Sequence, residues 1–204
     1  MGVTQIEPES GPTRVGGGPS TAASVLIGAL LGLTWAAGFR GFMVEVAGEA
    51  SVFSWYATFV GVLGGGAIVG GLLGWADHIR RTGGRSRWRW LALSPLILGL
   101  LPLTVPGTIA LLAQGIGTAG MAVALIAIGL GYAAGSSRHP VLRVVIGVLS
   151  AAAAVALVAM TPLISDGNVS FAEPRGAWAG LLGLSSILVL GLATSIPFRD
   201  VGRP

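Results

Sequence analysis

The sequence predicts an all-α fold, a polytopic membrane helix bundle of about six transmembrane helices with N and C termini cytoplasmic. Three observations predict it. Apolar residues make up 53% of the chain and charged residues only 10%, whereas a soluble domain carries about a quarter charged residues. The charges are clustered, which leaves apolar runs of the roughly 20 residues that a helix needs to cross about 30 Å of hydrocarbon. The basic residues also alternate, crowding every second link between the runs.

The elements follow in order. Residues 1–20, with Glu7, Pro8, Glu9, Pro12, Pro19 and the run Gly16–Gly18, have little to bury and read as a disordered cytoplasmic tail. The first span runs from Thr21 to Phe39. Ala36, Ala37 and Gly38 raise the rival expectation of a cleaved signal peptide, but the acidic, Arg-poor leader favours a retained helix. A short outer link, Arg40 to Ser51, precedes the second span, Val52–Trp75. Trp55 and Tyr56 at one end of that span and Trp75 at the other suit the two headgroup belts.

Asp77–Arg89 forms the main basic loop. The 46 residues from Trp90 to Gly135 then carry no charge. As one helix they would reach about 69 Å, more than twice the bilayer core, so the chain must turn back. Val105–Pro106–Gly107 is one place for the turn and Gln114–Gly117 is another. The first choice gives a third span near Trp88–Thr104, kinked by Pro95 and Pro102, and a fourth near Thr108–Ala134. A second basic link, Ser136–Arg143, leads to the fifth span, Val141–Met160. The polar loop Thr161–Arg175 leads to the sixth, Gly176–Pro197. The membrane domain thus covers residues 21–198, and residues 199–204 form a short cytoplasmic tail.

Arginine placement sets the orientation. All twelve basic residues are Arg. With both ends inside, ten of them (Arg14, Arg80, Arg81, Arg85, Arg87, Arg89, Arg138, Arg143, Arg199 and Arg203) face the cytoplasm, and only Arg40 and Arg175 lie outside. Cytoplasmic links attract such an excess. The expected location is the cell membrane, as a multi-pass protein with the lipid bilayer as its first partner.

Lipid tails are as apolar as leucine, so membrane helices associate through close packing of small residues. Gly28, Gly32 and Ala36 form one ridge on the first span, and Gly66, Gly70 and Gly74, joined by Gly61 and Gly65, form another on the second. Glycine-rich helix packing between these two neighbours is expected.

The chemistry that the residues leave out is equally specific. Without cysteine there is no thiolate nucleophile and no disulfide, and without lysine no Schiff base. No Lys-bearing phosphate loop or His-Glu-x-x-His motif occurs. No cofactor is expected. A pI near 11 would suit nucleic acid, but the arginines sit at the ends of apolar spans, so no nucleic-acid partner is expected. Ser136, Ser137 and His139 lie close in sequence without an evident carboxylate to orient the base. Asp77 and His78, beside Arg80 and Arg81, read as an interfacial charge cluster.

Two groups of residues remain as candidates. Arg40, Glu45 and Glu49 in the outer link, with Gln114 in the uncharged stretch, could bind a small charged ligand. In an unbroken helix Arg40 and Glu45 would stand about 140° apart, so pairing them requires a bend. Arg80, Arg81, Arg85, Arg87 and Arg89 could contact anionic lipid or a protein partner. Short loops and missing catalytic motifs favour a non-catalytic membrane subunit or scaffold, with a membrane-protein partner or as a homo-oligomer. The alternative is a small permease-like transporter with a polar outer cavity near Arg40 and Glu45.

Overall fold

The structure is a computed structural model that describes residues 18–51, 53–83, 87–101, 118–137, 139–165 and 169–200. Every regular element among the described residues is helical. Among the described residues four helices are long and apolar enough to cross a membrane: Thr21–Ala47, Trp55–Arg81, Pro140–Ala159 and Pro174–Phe198. The turn proposed at Pro106 and the polar Gln114 lie outside the described residues, as do Arg14, Arg85, Arg138 and Arg203.

Helix α1 (Thr21–Ala47) starts where Ser20 caps it, its hydroxyl accepting the Ala23 N–H at 3.2 Å. It ends at Gly48, whose φ of 53° is open to glycine and strained for other residues. The helix therefore runs eight residues beyond Phe39, carrying Arg40 and Glu45 that the sequence places in a link. Helix α2 (Trp55–Arg81) is capped by Ser54, which accepts the Ala57 N–H at 3.0 Å. It opens in π-helical turns over Trp55–Gly64 and continues as α-helix over Gly65–Arg81. His78, Arg80 and Arg81 in its last turn complement the negative end of the helix dipole.

The third predicted span is not one regular helix. Trp88–Leu93 is 3-10 helical, Ser94 and Pro95 turn the chain, and α3 (Leu96–Leu100) follows. Pro95 heads a new helix, where its missing N–H costs nothing, instead of kinking an existing one. Beyond the undescribed stretch come α4 (Thr118–Gly135), α5 (Pro140–Ala159) and α6 (Pro174–Thr194). Proline stands in the first turn of both α5 and α6. A 3-10 turn, Ile196–Phe198, finishes the last helix.

Helices α1 and α2 make the most extensive contact in the molecule, and α4 packs against both α5 and α6. The α1–α2 seam lies where the glycine spacing predicts. A Cβ built on Gly32 would stand 2.9 Å from the Gly70 Cα, and one on Gly74 would stand 3.1 Å from the Gly28 Cα. The seam is backbone against backbone. Gly61 and Gly65 do not belong to it. The π-helical turns carry Gly61 out of register, so that only the Tyr56 carbonyl is near, and Gly65 meets Leu98 and Leu101 on the α3 side.

Small residues and a modest set of larger ones fill the core, among them Phe39, Val69, Leu73, Ile126, Ile187 and Leu190. The outside is the apolar part. Leu31 is 67% exposed, Trp55 is 82% exposed, and α5 turns Val141, Val144, Val148 and Leu149 outward. In water such a surface would be an aggregation hazard; in hydrocarbon it is a solvated one. The hydroxyls of Thr34, Ser185 and Ser186 donate to the carbonyls of Leu30 and Leu182 on their own helices, as a medium without water requires.

Candidate functional site

The ends of the bundle are held by separate polar groups. At one end Glu45 Oε2 accepts from Arg175 Nε at 2.7 Å, tying the end of α1 to the start of α6. Arg40 donates to the Ser51 hydroxyl from both terminal nitrogens at 3.3 Å, and its guanidinium lies 4.4 Å above the centre of the Phe53 ring. Glu49 is exposed in the 3-10 turn Gly48–Ala50. Because α1 is helical through both, Arg40 and Glu45 are five residues apart on one helix and take different partners. Neither cavity described below is lined by Arg40, Glu45 or Glu49.

At the other end the charges interlock. Asp77 accepts from Arg80 at 2.8 Å and from Arg81 at 2.6 Å. Thr21 and His78 share a hydrogen bond of 2.8 Å, and Arg81 reaches the Ser24 hydroxyl at 3.4 Å. These contacts fasten the start of α1 to the end of α2. Arg87 sits in a left-handed conformation with φ 65°, heading the 3-10 turn that carries Arg89. Arg89 lies 3.5 Å from Asp200. Of the basic-loop residues proposed to meet lipid or a partner, Arg80, Arg81 and Arg89 thus already have carboxylate neighbours.

Asp200 also accepts a 2.5 Å hydrogen bond from the Ser137 hydroxyl. With Arg89, Tyr132, Ser136, His139 and Phe198 it lines a cup of about 290 Å³. The carboxylate missing from the local sequence is therefore supplied by the end of the chain. Ser137 bonds to that carboxylate directly, whereas a nucleophile would be held by a base that the carboxylate orients. The arrangement ties the α4–α5 link to the end of α6. Among the described residues, no three His, Asp or Glu side chains gather as metal ligands.

A groove of about 570 Å³ lies between α1, α2 and α6. Its floor is the glycine seam, where Gly28, Gly32, Gly70 and Gly74 leave no side chains to fill it. Ile27 and Leu31 form one wall, and Leu182, Ser185 and Val189 form the other. Trp35 closes the space behind them by donating its indole N–H to the Ser186 carbonyl at 2.8 Å, with its ring stacked on Phe39. Asp77 and Arg81 stand at one end, and among the described residues they are its only charged lining. Sequence reasoning found the seam but not this groove, because the α6 wall lies more than 100 residues from the floor. Compared with protein-family models, curated proteins and solved structures, the chain matches none.

Proposed function

We propose that the protein is a six-span cell-membrane protein, both termini cytoplasmic, that serves as a non-catalytic membrane subunit or scaffold. One observation carries the reading. The ionisable side chains described in contact are paired near helix ends, while the hydroxyls of Thr34, Ser185, Ser186 and Thr194 are spent on their own helices' carbonyls and those of Thr21 and Ser24 fasten α1 to α2. Ion-coupled transport and proton relays rely on ionisable groups held at depth. A rigid body whose polar groups serve to fasten its helices suits a protein that positions something else. The permease reading needs Arg40 and Glu45 to share a cavity, and they take separate partners.

The topology has its own support. Side-chain contacts collect Arg80, Arg81, Arg89, Ser137 and Asp200 at one end of the bundle, and Glu45 with Arg175 at the other. The positive-inside rule makes the arginine-rich end cytoplasmic. Four spans are the long apolar helices; the other two are the third and fourth of the sequence reading, which contain α3 and α4. Reporter fusions after Asp77, Arg143 and Asp200 should be active as cytoplasmic reporters, and fusions after Ala47 and Glu173 as external ones. A cytoplasmic signal from either of the last two would overturn the arrangement.

The functional reading is tested by purifying the tagged chain from its own host in a mild detergent and identifying what accompanies it. A stoichiometric membrane protein is the expected result. Recovery of the chain alone, with uptake of a solute when reconstituted in vesicles, would replace the subunit reading by the transporter.

A further inference from the structure

We infer that the groove between α1, α2 and α6 holds one acyl chain of an anionic phospholipid, with its phosphate against Arg81. The groove has the form of an amphiphile. From Gly66 to Arg81 the lining of α2 covers sixteen residues, and the fifteen steps between them reach about 22 Å at 1.5 Å per residue. Over most of that length the walls are Ile27, Leu31, Leu182 and Val189, and charge appears only at the Arg81 end. An occupant must therefore be apolar along its body and ionic at one tip.

The sign of the tip follows from the residues around it. Asp77 and Arg81, the charged residues of the lining, cancel, and Arg80, paired with Asp77 beside the groove, leaves the cluster with one positive charge in excess. The N-terminal end of α1 adds the positive pole of a 27-residue helix whose first turn holds no acidic residue. It stands beside the same guanidinium, because Arg81 contacts Ser24. Arg81 keeps 40% of its side chain exposed, so the phosphate has access without breaking the pair with Asp77. An anion fits here and a cationic headgroup does not.

Access favours a lipid chain, because the groove opens between helices whose outward faces are apolar, with Ile27, Leu31 and Val189 exposed at its rim. A single hydrocarbon chain lies within it, and the exposed leucines of α1 give it a lateral path from the bilayer. Residues 1–17, with Glu7, Glu9 and few apolar side chains, are a poor match for the walls. That the lipid comes from the inner leaflet rests on the proposed topology. The occupancy of the groove does not.

The test uses the full chain, stripped of lipid, incubated with mixed micelles of phosphatidylglycerol or phosphatidylcholine, and weighed intact by native mass spectrometry. The wild-type chain should retain one phosphatidylglycerol per chain and prefer it about fivefold, the worth of one basic side chain at an anionic surface. Arg81→Gln should erase that preference and keep a residual, headgroup-blind retention. Ser185→Trp, which fills the groove from its exposed rim, should lower retention of both lipids. Equal retention of the two lipids by the wild-type chain would overturn the proposal, as would a Ser185→Trp chain that binds like wild type. A polypeptide, found in place of lipid and displaced by Ser185→Trp, would also overturn it. Reporter fusions read the leaflet separately, so loss of the topology and loss of the lipid site give different results.

Discussion

Gly70→Leu should cost about 3 kcal/mol or more, at the upper end of what an overpacked core loses, and release α1 from α2. A Cβ at this position would lie 2.7 Å from the Gly32 Cα and 2.9 Å from the Gly32 nitrogen. These are backbone atoms in the middle of a helix and cannot swing aside. In hydrocarbon no solvent force presses helices together, so separating them by even a small distance forfeits the dispersion contacts that hold them. Gly70→Ala should be harmful for the same reason. Gly38→Ala and Gly41→Ala supply the control, because nothing stands within 4 Å of a Cβ at either site. They should be neutral or should gain several tenths of a kcal/mol from helix propensity. Thermal unfolding in detergent, followed by helical circular dichroism and by loss of the monodisperse peak, reads all four. A Gly70→Leu chain that melts with the wild type would end the close-packing account.

The second large effect is expected at the opposite seam. A Cβ on Gly131 of α4 would meet Thr194 at 2.8 Å from its carbonyl carbon and 2.9 Å from its Cβ, and Ser195 at 3.0 Å from its nitrogen. The receiving chain is fixed. Thr194 is fully buried, with its hydroxyl bonded to the Leu190 carbonyl, and the Ser195 N–H is shared by the carbonyls of Gly191 and Leu192. Gly131→Leu should destabilise the protein by about 2–3 kcal/mol. It should also pull Asp200 away from Ser137, since the 3-10 turn Ile196–Phe198 joins the two places. Amide exchange should therefore quicken around Ser137 and Phe198 while Glu45 and Arg175 keep their wild-type protection. Uniform quickening along the whole chain would show that the seam is not the local clamp described.

Much of this architecture was legible because hydrocarbon is an unforgiving medium. The fifth and sixth runs, read as Val141–Met160 and Gly176–Pro197, lie within a few residues of Pro140–Ala159 and Pro174–Thr194. There, proline and charge mark the helix start and the membrane edge together. The first run misled because the two boundaries differ. Arg40 marks where the apolar run ends, but the helix continues to Ala47, since Arg40 and Glu45 find Ser51, Phe53 and Arg175 and need not end it. The third run misled because Trp90–Leu101 carries no charge and is apolar but for Ser94, and apolarity does not report a 3-10 segment broken at Ser94 and Pro95. The glycine seam could be read from spacing alone, since both of its ridges lie on consecutive helices. The groove and the bond between Ser137 and Asp200 could not. Each depends on α6 returning to elements more than 60 residues earlier, and no local pattern encodes that return.

The glycine seam also implies an order of assembly. Meeting along backbone, the seam glycines of α1 and α2 freeze no side-chain rotamers when the helices dock, so that part of the usual ordering entropy is spared. Only residues 48–54 separate them, which keeps the loop-closure term small. The pair can therefore mature as a hairpin as soon as its second helix is in the bilayer, before most of the chain is made. Helix α6 is synthesised after them, and it joins through Trp35 and Glu45 onto a platform already in place. The groove is the joint between this early pair and a helix made later, open to the membrane until that helix closes over it.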